Sequence, residues 1–186
     1  MSGKLIFNYG TMRCGKSALL IQKAFQFNAA GRRVVVLKPS TDTRSGEGVV
    51  ESRIGISWPC ITVSPDTNIF KLLLGRKMVF DVLLVDEINF LTTTQINQIA
   101  HVVQGTGCMC LAFGLKCDFE GKLFDASKRL FELADRFDEM PSMCDCGSKA
   151  TKHFRVSGEI AQFVVGDEIY RSVCRGCFIK LRGTYE

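Results

Sequence analysis

The chain has 186 residues, 46% hydrophobic and 23% charged, a composition that suits one globular domain with a small appendage and excludes a disordered chain or two full cores. Its 24 Lys and Arg against 19 Asp and Glu leave a net charge of +5, which favours phosphate ligands but falls far short of the clustered basicity of a dedicated nucleic-acid binder. Met1-Ser2-Gly3-Lys4 runs straight into Leu5-Ile6-Phe7 without a secretion-type apolar region, and no apolar run approaches the roughly 18 residues of a membrane span. A soluble, cytoplasmic protein with no membrane and no nucleic-acid partner is the expectation.

Residues 4–9 read as a short strand closed by Gly10. Residues 16–29 carry Ala18, Leu19, Ile21, Ala24 and Phe25 at helical spacing. Residues 33–37 read as a second strand in which Val34-Val35-Val36-Leu37 is apolar on both faces, as a parallel strand covered on both sides should be. Residues 39–57 are polar and Gly-rich, a long excursion or hairpin. A strand at 60–63 and a helix at 67–74 follow, then a buried strand at 80–85, a helix at 92–103 and a strand at 108–113. This rhythm predicts an α/β fold with a mostly parallel sheet and helices on both faces. After Pro141 cysteines, glycines and short strands replace it, so the chain divides into residues 1–140 and 141–186.

Gly10-Thr11-Met12-Arg13-Cys14-Gly15-Lys16-Ser17 fits G-x-x-x-x-G-K-[ST] without a mismatch, between a strand and a helix. In such a loop the backbone N–H groups converge on phosphate oxygens at a helix N-terminus. Lys16 supplies a point charge for the β- and γ-phosphates and Ser17 a Mg²⁺ ligand. The partner feature is an acid ending a buried strand, and Val82-Leu83-Leu84-Val85-Asp86-Glu87 provides it. Asp86 is placed to hold Mg²⁺. Glu87 can accept a proton from an attacking hydroxyl; the alternative is a carboxylate favoured at the start of a helix by its dipole. With water as acceptor such a site is an ATPase, with a small molecule a kinase; the Asn-Lys-x-Asp guanine motif is absent.

Nine cysteines, an odd number, argue against a disulfide framework. Cys14, Cys60, Cys108, Cys110 and Cys117 stand among apolar neighbours and read as small buried hydrophobes. Cys144-x-Cys146 and Cys174-x-x-Cys177 form two close pairs with 27 residues between them, the ligand set of a closed structural Zn²⁺ site; redox or buried thiols are the alternative. Residues 141–186 hold seven Lys and Arg against five acids, too even a balance for a phosphate-backbone grip.

These blocks are joined by Asp42-Thr43-Arg44, Ser52-Arg53-Ile54-Gly55, Val85-Asp86-Glu87-Ile88-Asn89-Phe90-Leu91, Phe113-Gly114-Leu115-Lys116-Cys117-Asp118-Phe119 and Gly166-Asp167-Glu168-Ile169-Tyr170 ahead of the last cysteine pair. From Lys4 to its end the chain resembles the zinc-containing thymidine kinase family of cytosolic and bacterial type, most closely its T4-like bacteriophage members. The resemblance implies a RecA-like P-loop domain with a small zinc-binding lasso domain, and ATP-dependent phosphorylation of the thymidine 5′-hydroxyl in deoxynucleotide salvage, deoxyuridine being a second acceptor. It implies structural Zn²⁺, Mg²⁺ with ATP, a homotetramer and feedback inhibition by dTTP. By the same resemblance Glu87 is the general base. Gly10 to Ser17, Asp42, Arg44, Arg53, Asp86, Glu87, Ile88 and Asn89 serve ATP and its metal. Met12, Phe90, Leu115, Phe119, Phe163, Val164, Val165, Gly166 and Tyr170 surround the nucleoside, the later ones on a lasso at about 156–170. From spacing alone, Met12, Phe90, Leu115 and Phe119 read rather as core, and Arg44 and Arg53 equally well as solvated loop charges. The chain departs from the family at Asn89 (mostly Gln), Lys116-Cys117 (usually Arg-Thr), Arg13-Cys14 within the P-loop, and Val165-Gly166 (often Gly-Gly).

Overall fold

The computed structural model of the chain describes residues 3–75, 78–155 and 170–182. In order these form β1 (Lys4–Gly10), α1 (Lys16–Ala29), β2 (Val34–Pro39), β3 (Val49–Glu51), β4 (Ser57–Pro59), β5 (Ile61–Val63), β6 (Val82–Val85), α2 (Thr93–Thr106), β7 (Met109–Leu115), α3 (Asp125–Leu133), β8 (Arg136–Met140), β9 (Lys152–Arg155), β10 (Tyr170–Val173) and α4 (Arg175–Arg182). Six strands make one sheet in the order β5-β2-β6-β7-β1-β8, and every pairing in it is parallel. All strands therefore end on the same edge, where an open α/β sheet takes its ligand.

The apolar runs bury both faces. On one, Ile96, Ile99 and Val102 of α2 and Leu130 of α3 pack on Leu5, Phe7, Leu83 and Val85. On the other, Leu20, Ile21 and Ala24 of α1 pack on Ile6, Val36, Leu84 and Phe113, with Val50 of the β3–β4 hairpin completing the layer. Phe25, expected on the apolar face of α1, is exposed. α2 begins in a capping box: Thr92 accepts from the Gln95 N–H while the Gln95 side chain accepts from the Thr92 N–H.

Two expected elements are corrected. The helix expected at 67–74 is present but begins at 69, with its last five residues, Lys71–Gly75, π-helical; Pro65 and Asp66 fall just upstream, where a turn holds Thr67 N–H on the Ser64 carbonyl. Of the five upstream cysteines, Cys108, Cys110 and Cys117 are buried, whereas Cys14 and Cys60 are half-buried. The polar excursion resolves into the antiparallel β3–β4 hairpin, and α3 and β8 are additional to the expected elements.

Beyond Met140, β9 and β10 pair antiparallel and α4 packs against them. The small cluster here is Ala150, Val173, Phe178 and Cys144, against 20 buried residues in the larger sheet-face cluster. Among the described residues this is little apolar burial for a segment of such length, and a cross-link between its ends would add the order it lacks.

Candidate active site

β1 delivers Gly10 to the ligand edge and α1 departs at Lys16. Between them Gly15 caps the helix at φ 82°, a left-handed conformation open to glycine at little cost. Arg13 is left-handed too, at φ 63°. Lys16 is buried; its Nζ donates to the Thr11 carbonyl at 2.8 Å and lies 3.7 Å from Cys14 Sγ. The loop thus closes around its own ammonium beneath the α1 N-terminus, the arrangement that attracts an anion.

β6 brings the acids to the same edge. The Asp86 N–H donates to the Leu37 carbonyl at 2.9 Å, which adds one rung beyond the β2–β6 ladder and aims the side chain past the strand end. Ser17 Oγ donates to Asp86 Oδ2 at 2.9 Å. Asp86 is 2% exposed and its Oδ1 has no hydrogen-bond partner among the described residues. Burial first, then the adjacent Glu87 charge, push this carboxyl up to about 7, against the pull of Ser17, Lys16 and Arg44. A buried carboxylate with one lone oxygen beside a serine hydroxyl fits a hard cation that takes oxygen ligands.

Glu87 is left-handed at φ 44°, a conformation costing a non-glycine residue roughly 1–2 kcal/mol. It heads the one-turn 3₁₀ helix Ile88–Phe90 without capping it. Its Oε1 instead accepts from Arg44 Nη2 at 2.6 Å, while Arg44 Nε donates to Asp42 Oδ1 at 2.7 Å. Burial would raise Asp42, but the hydrogen bond and charge of Arg44, with Lys38 behind it, hold its carboxyl below the ordinary value. Lys38 is 1% exposed: its Nζ donates to the Ser45 carbonyl and hydroxyl and to the Val49 carbonyl, 3.8 Å from Asp42 Oδ2. A buried lysine therefore anchors the 42–49 segment, and a chain of alternating charges runs Lys38–Asp42–Arg44–Glu87.

A cavity of about 490 Å³ opens over these groups. Met12, Arg13, Gly15, Lys16, Ser17, Asp42, Arg44, Arg53 and Glu87 line it on the charged side. Phe90, Leu115, Phe119 and Tyr170 line the apolar side, joined by Phe124, whose ring stands edge-on to Phe90 at 5.9 Å. Tyr170 opens β10 with its ring 6.3 Å from Phe119. Gly10, Thr11, Cys14, Asp86, Ile88 and Asn89 do not line it. Ile88 is core, and Asn89 Oδ1 accepts from the Leu115 N–H at 2.8 Å. A Cβ on Gly114 would fall 2.8 Å from that same oxygen, so glycine is what lets the turn seat against β7. Phe163, Val164, Val165 and Gly166 lie outside the described residues.

Three polar contacts tie the small unit to the phosphate loop, and sequence spacing signalled none. Thr11 Oγ1 pairs with Ser142 Oγ. The Met12 N–H donates to His153 Nε2 at 2.8 Å, and the Met12 carbonyl accepts from Ser172 Oγ at 2.8 Å.

Cys144, Cys146, Cys174 and Cys177 meet, with their sulfurs all within 4.8 Å of one another and the Cys146–Cys174 pair at 3.7 Å. A tetrahedral ion with metal–sulfur bonds of about 2.3 Å needs sulfur–sulfur edges of about 3.8 Å, so the donor set suits a metal such as zinc. Each pair sits on a turn that aims its thiols: the Gly147 N–H donates to the Cys144 carbonyl at 2.8 Å, and the Cys177 N–H to Cys174 Sγ at 3.4 Å. No helix among the described residues is long and apolar enough to cross a membrane.

Comparison with known proteins agrees with this geometry. The family model for thymidine kinase matches residues 3–178. A thymidine kinase of Rhizobium etli is 39% identical over 182 residues, covering 92% of this chain and 91% of that protein. That of Enterobacteria phage T4 is 39% identical over 179 residues, covering 92% and 93%; that of Streptococcus pyogenes is 36% identical over 180, covering 92% and 95%. With an intact phosphate loop facing a carboxylate across one cavity, and a match over nearly its whole length, the chain belongs to the thymidine kinase family.

Proposed function

We propose that this chain transfers the γ-phosphoryl group of ATP to the 5′-hydroxyl of thymidine, giving ADP and thymidine monophosphate. The observation that carries the reading is the single cavity in which Lys16 and Glu87 face an apolar, aromatic wall of Phe90, Leu115, Phe119 and Tyr170. A flat base fits that wall, and a sugar hydroxyl between wall and phosphate loop meets Glu87. Residues 1–140 serve ATP, and residues 141–186 close the nucleoside side.

The loop amides from Met12 to Ser17 and the Lys16 ammonium bind the phosphates and offset the charge that builds on the transferring group. Ser17 and Asp86 would hold Mg²⁺, which would supply positive charge to offset that of the phosphates. Glu87 accepts the 5′-hydroxyl proton as the oxygen attacks phosphorus and the bond to the β-phosphate breaks. Arg44 aims the Glu87 carboxylate through its hydrogen bond, and Arg53 reaches the phosphate side from the hairpin. The four cysteines hold Zn²⁺, which supplies folding energy and no chemistry. Family membership supports a cytoplasmic homotetramer in deoxynucleotide salvage that dTTP inhibits.

Incubation with MgATP and a panel of nucleosides tests this. Thymidine, and more weakly deoxyuridine, should yield 5′-monophosphate in equal amount to ADP; ADP without a nucleoside product would replace the kinase by an ATPase.

A further inference from the structure

The P-loop motif explains the loop's residues but not what fixes its shape. Met12 stands at the loop's second variable position, where neither β1 nor α1 supports the backbone. His153 and Ser172 face each other across the β9–β10 pairing, and directly opposed residues of an antiparallel pair project to the same face. One grips the Met12 N–H and the other the Met12 carbonyl.

We propose that His153 and Ser172 are a pair of positioning residues that hold the two peptide planes flanking Met12 and thereby set the phosphate loop for ATP. The inference rests on the nucleotide-binding reading of that loop. A trans peptide is planar, with its C=O and N–H opposed. The Met12 N–H shares its plane with the Thr11 carbonyl, and that carbonyl is the one holding Lys16 Nζ at 2.8 Å. By fixing the N–H, His153 fixes the direction in which the loop presents its lysine. The Met12 carbonyl belongs to the next plane, which leads into left-handed Arg13 at φ 63°; Ser172 holds that plane against the steric preference of a residue with a Cβ.

The chemistry of His153 suits an acceptor. The ring is 5% exposed and also hydrogen-bonds to the Cys117 backbone, which places the single ring proton of the neutral form on the nitrogen away from Met12. Burial, then the charge of Lys16, hold it down to about 4, so it stays neutral wherever the enzyme works. Replacement by an apolar side chain strands a buried N–H, and the plane is then free to turn toward another acceptor.

The test uses the full-length, metal-loaded chain and calorimetric titration with MgATP in the absence of nucleoside. His153→Leu should weaken ATP binding roughly ten- to hundredfold, the worth of a stranded buried donor. His153→Gln offers an amide oxygen to Met12 and an N–H to Cys117, and should recover most of the loss. Ser172 does not line the cavity, so a roughly two- to tenfold loss in Ser172→Ala, the worth of one hydrogen bond, is transmitted only through Met12. Unchanged ATP affinity in His153→Leu, or a Gln variant as weak as the Leu variant, overturns the proposal. Should His153→Leu fail to fold, Ser172→Ala decides it, since wild-type ATP affinity there overturns it. Wild-type protein that binds MgATP but forms no thymidine monophosphate would overturn the substrate reading while leaving the clamp to be judged on ATP binding.

Discussion

Glu87→Gln keeps the shape of the side chain and removes its ability to take a proton. The change leaves Arg44 a hydrogen-bond acceptor, since an amide oxygen can occupy the place of Oε1, now 2.6 Å from Arg44 Nη2. Arg44 also keeps Asp42 at 2.7 Å, so the guanidinium does not lose its seat. The expected loss in kcat is therefore the chemical part alone, roughly 10²–10⁴-fold for general-base help, or about 3 to 5 kcal/mol of transition-state stabilisation. ATP affinity should stay within about threefold, because the Glu87 side chain is held by Arg44 and the variant keeps that hydrogen bond. A second readout follows from its neighbour. Glu87 is the second-largest cause of the raised Asp86 carboxyl. A carboxyl raised by folding binds a proton in the folded chain that the unfolded chain has already lost. Stability then falls as pH rises from the ordinary value of 3.8 through about 7. Taking the Glu87 charge away shrinks that fall, and thermal melts between pH 4 and 8 without divalent cation would register a flatter profile in Glu87→Gln. Near-wild-type kcat with a flattened profile would refute Glu87 as base while leaving the electrostatics correct. A loss of turnover matched by a large loss of ATP affinity would mean that the variant damages the loop instead.

Lys16→Ala deletes a charge aimed at phosphate in a preorganised site, so ATP binding and turnover should both fall, turnover by roughly 10²–10³-fold, with metal content intact; unchanged nucleotide affinity would refute the loop assignment. Lys38→Met keeps the length of a buried side chain but strands the Ser45 carbonyl, the Val49 carbonyl keeping the Ser45 hydroxyl, which should cost about 1–3 kcal/mol in denaturant unfolding and lower kcat by loosening Asp42 and Arg44; a kcat unchanged in the folded variant would cut Lys38 from the charge chain. Cys174→Ser leaves three thiolates, so elemental analysis should show less than one metal per chain. Because the small unit grips Thr11 and Met12, affinity for ATP should fall along with that for thymidine; loss of thymidine affinity alone would show the two units to be independent.

The parts of the fold that were legible are those encoded locally. The phosphate loop is a contiguous pattern, and the doubly covered strands β2, β6 and β7 are uninterrupted apolar runs. The cysteine pairs are short spacings that converge because each sits on its own turn. β8 was not legible because Arg136-Phe137-Asp138-Glu139-Met140 has neither an apolar run nor a clean alternation. As the sheet's edge it pairs with β1 alone, and an edge strand carrying charge is also protected from pairing with other chains. α3 was missed for a related reason: it is nine residues long and buries only Ala126, Ser127 and Leu130.

Within the site, many of the residues that line the cavity can be named from the sequence, while those that orient them cannot. Lys38 reads as a surface charge, yet it is among the most buried side chains because the 45–49 segment folds back to supply three acceptor atoms. His153 and Ser172 meet Met12 across separations of 141 and 160 residues, and no local period reports such a contact. The metal unit makes that meeting possible. Its four thiols bring Cys144 and Cys146 against Cys174 and Cys177, and the segments between them carry His153 and Ser172 into register on β9 and β10. With so small a core among its described residues, this unit would hold its two clamp residues in place best with its ends cross-linked. The cysteines thus lie far from the transferring phosphoryl group in sequence and in chemistry, yet they fix the ribbon on which the phosphate loop leans. On the clamp proposal, a metal held by these thiols would be coupled to nucleotide binding without a catalytic role.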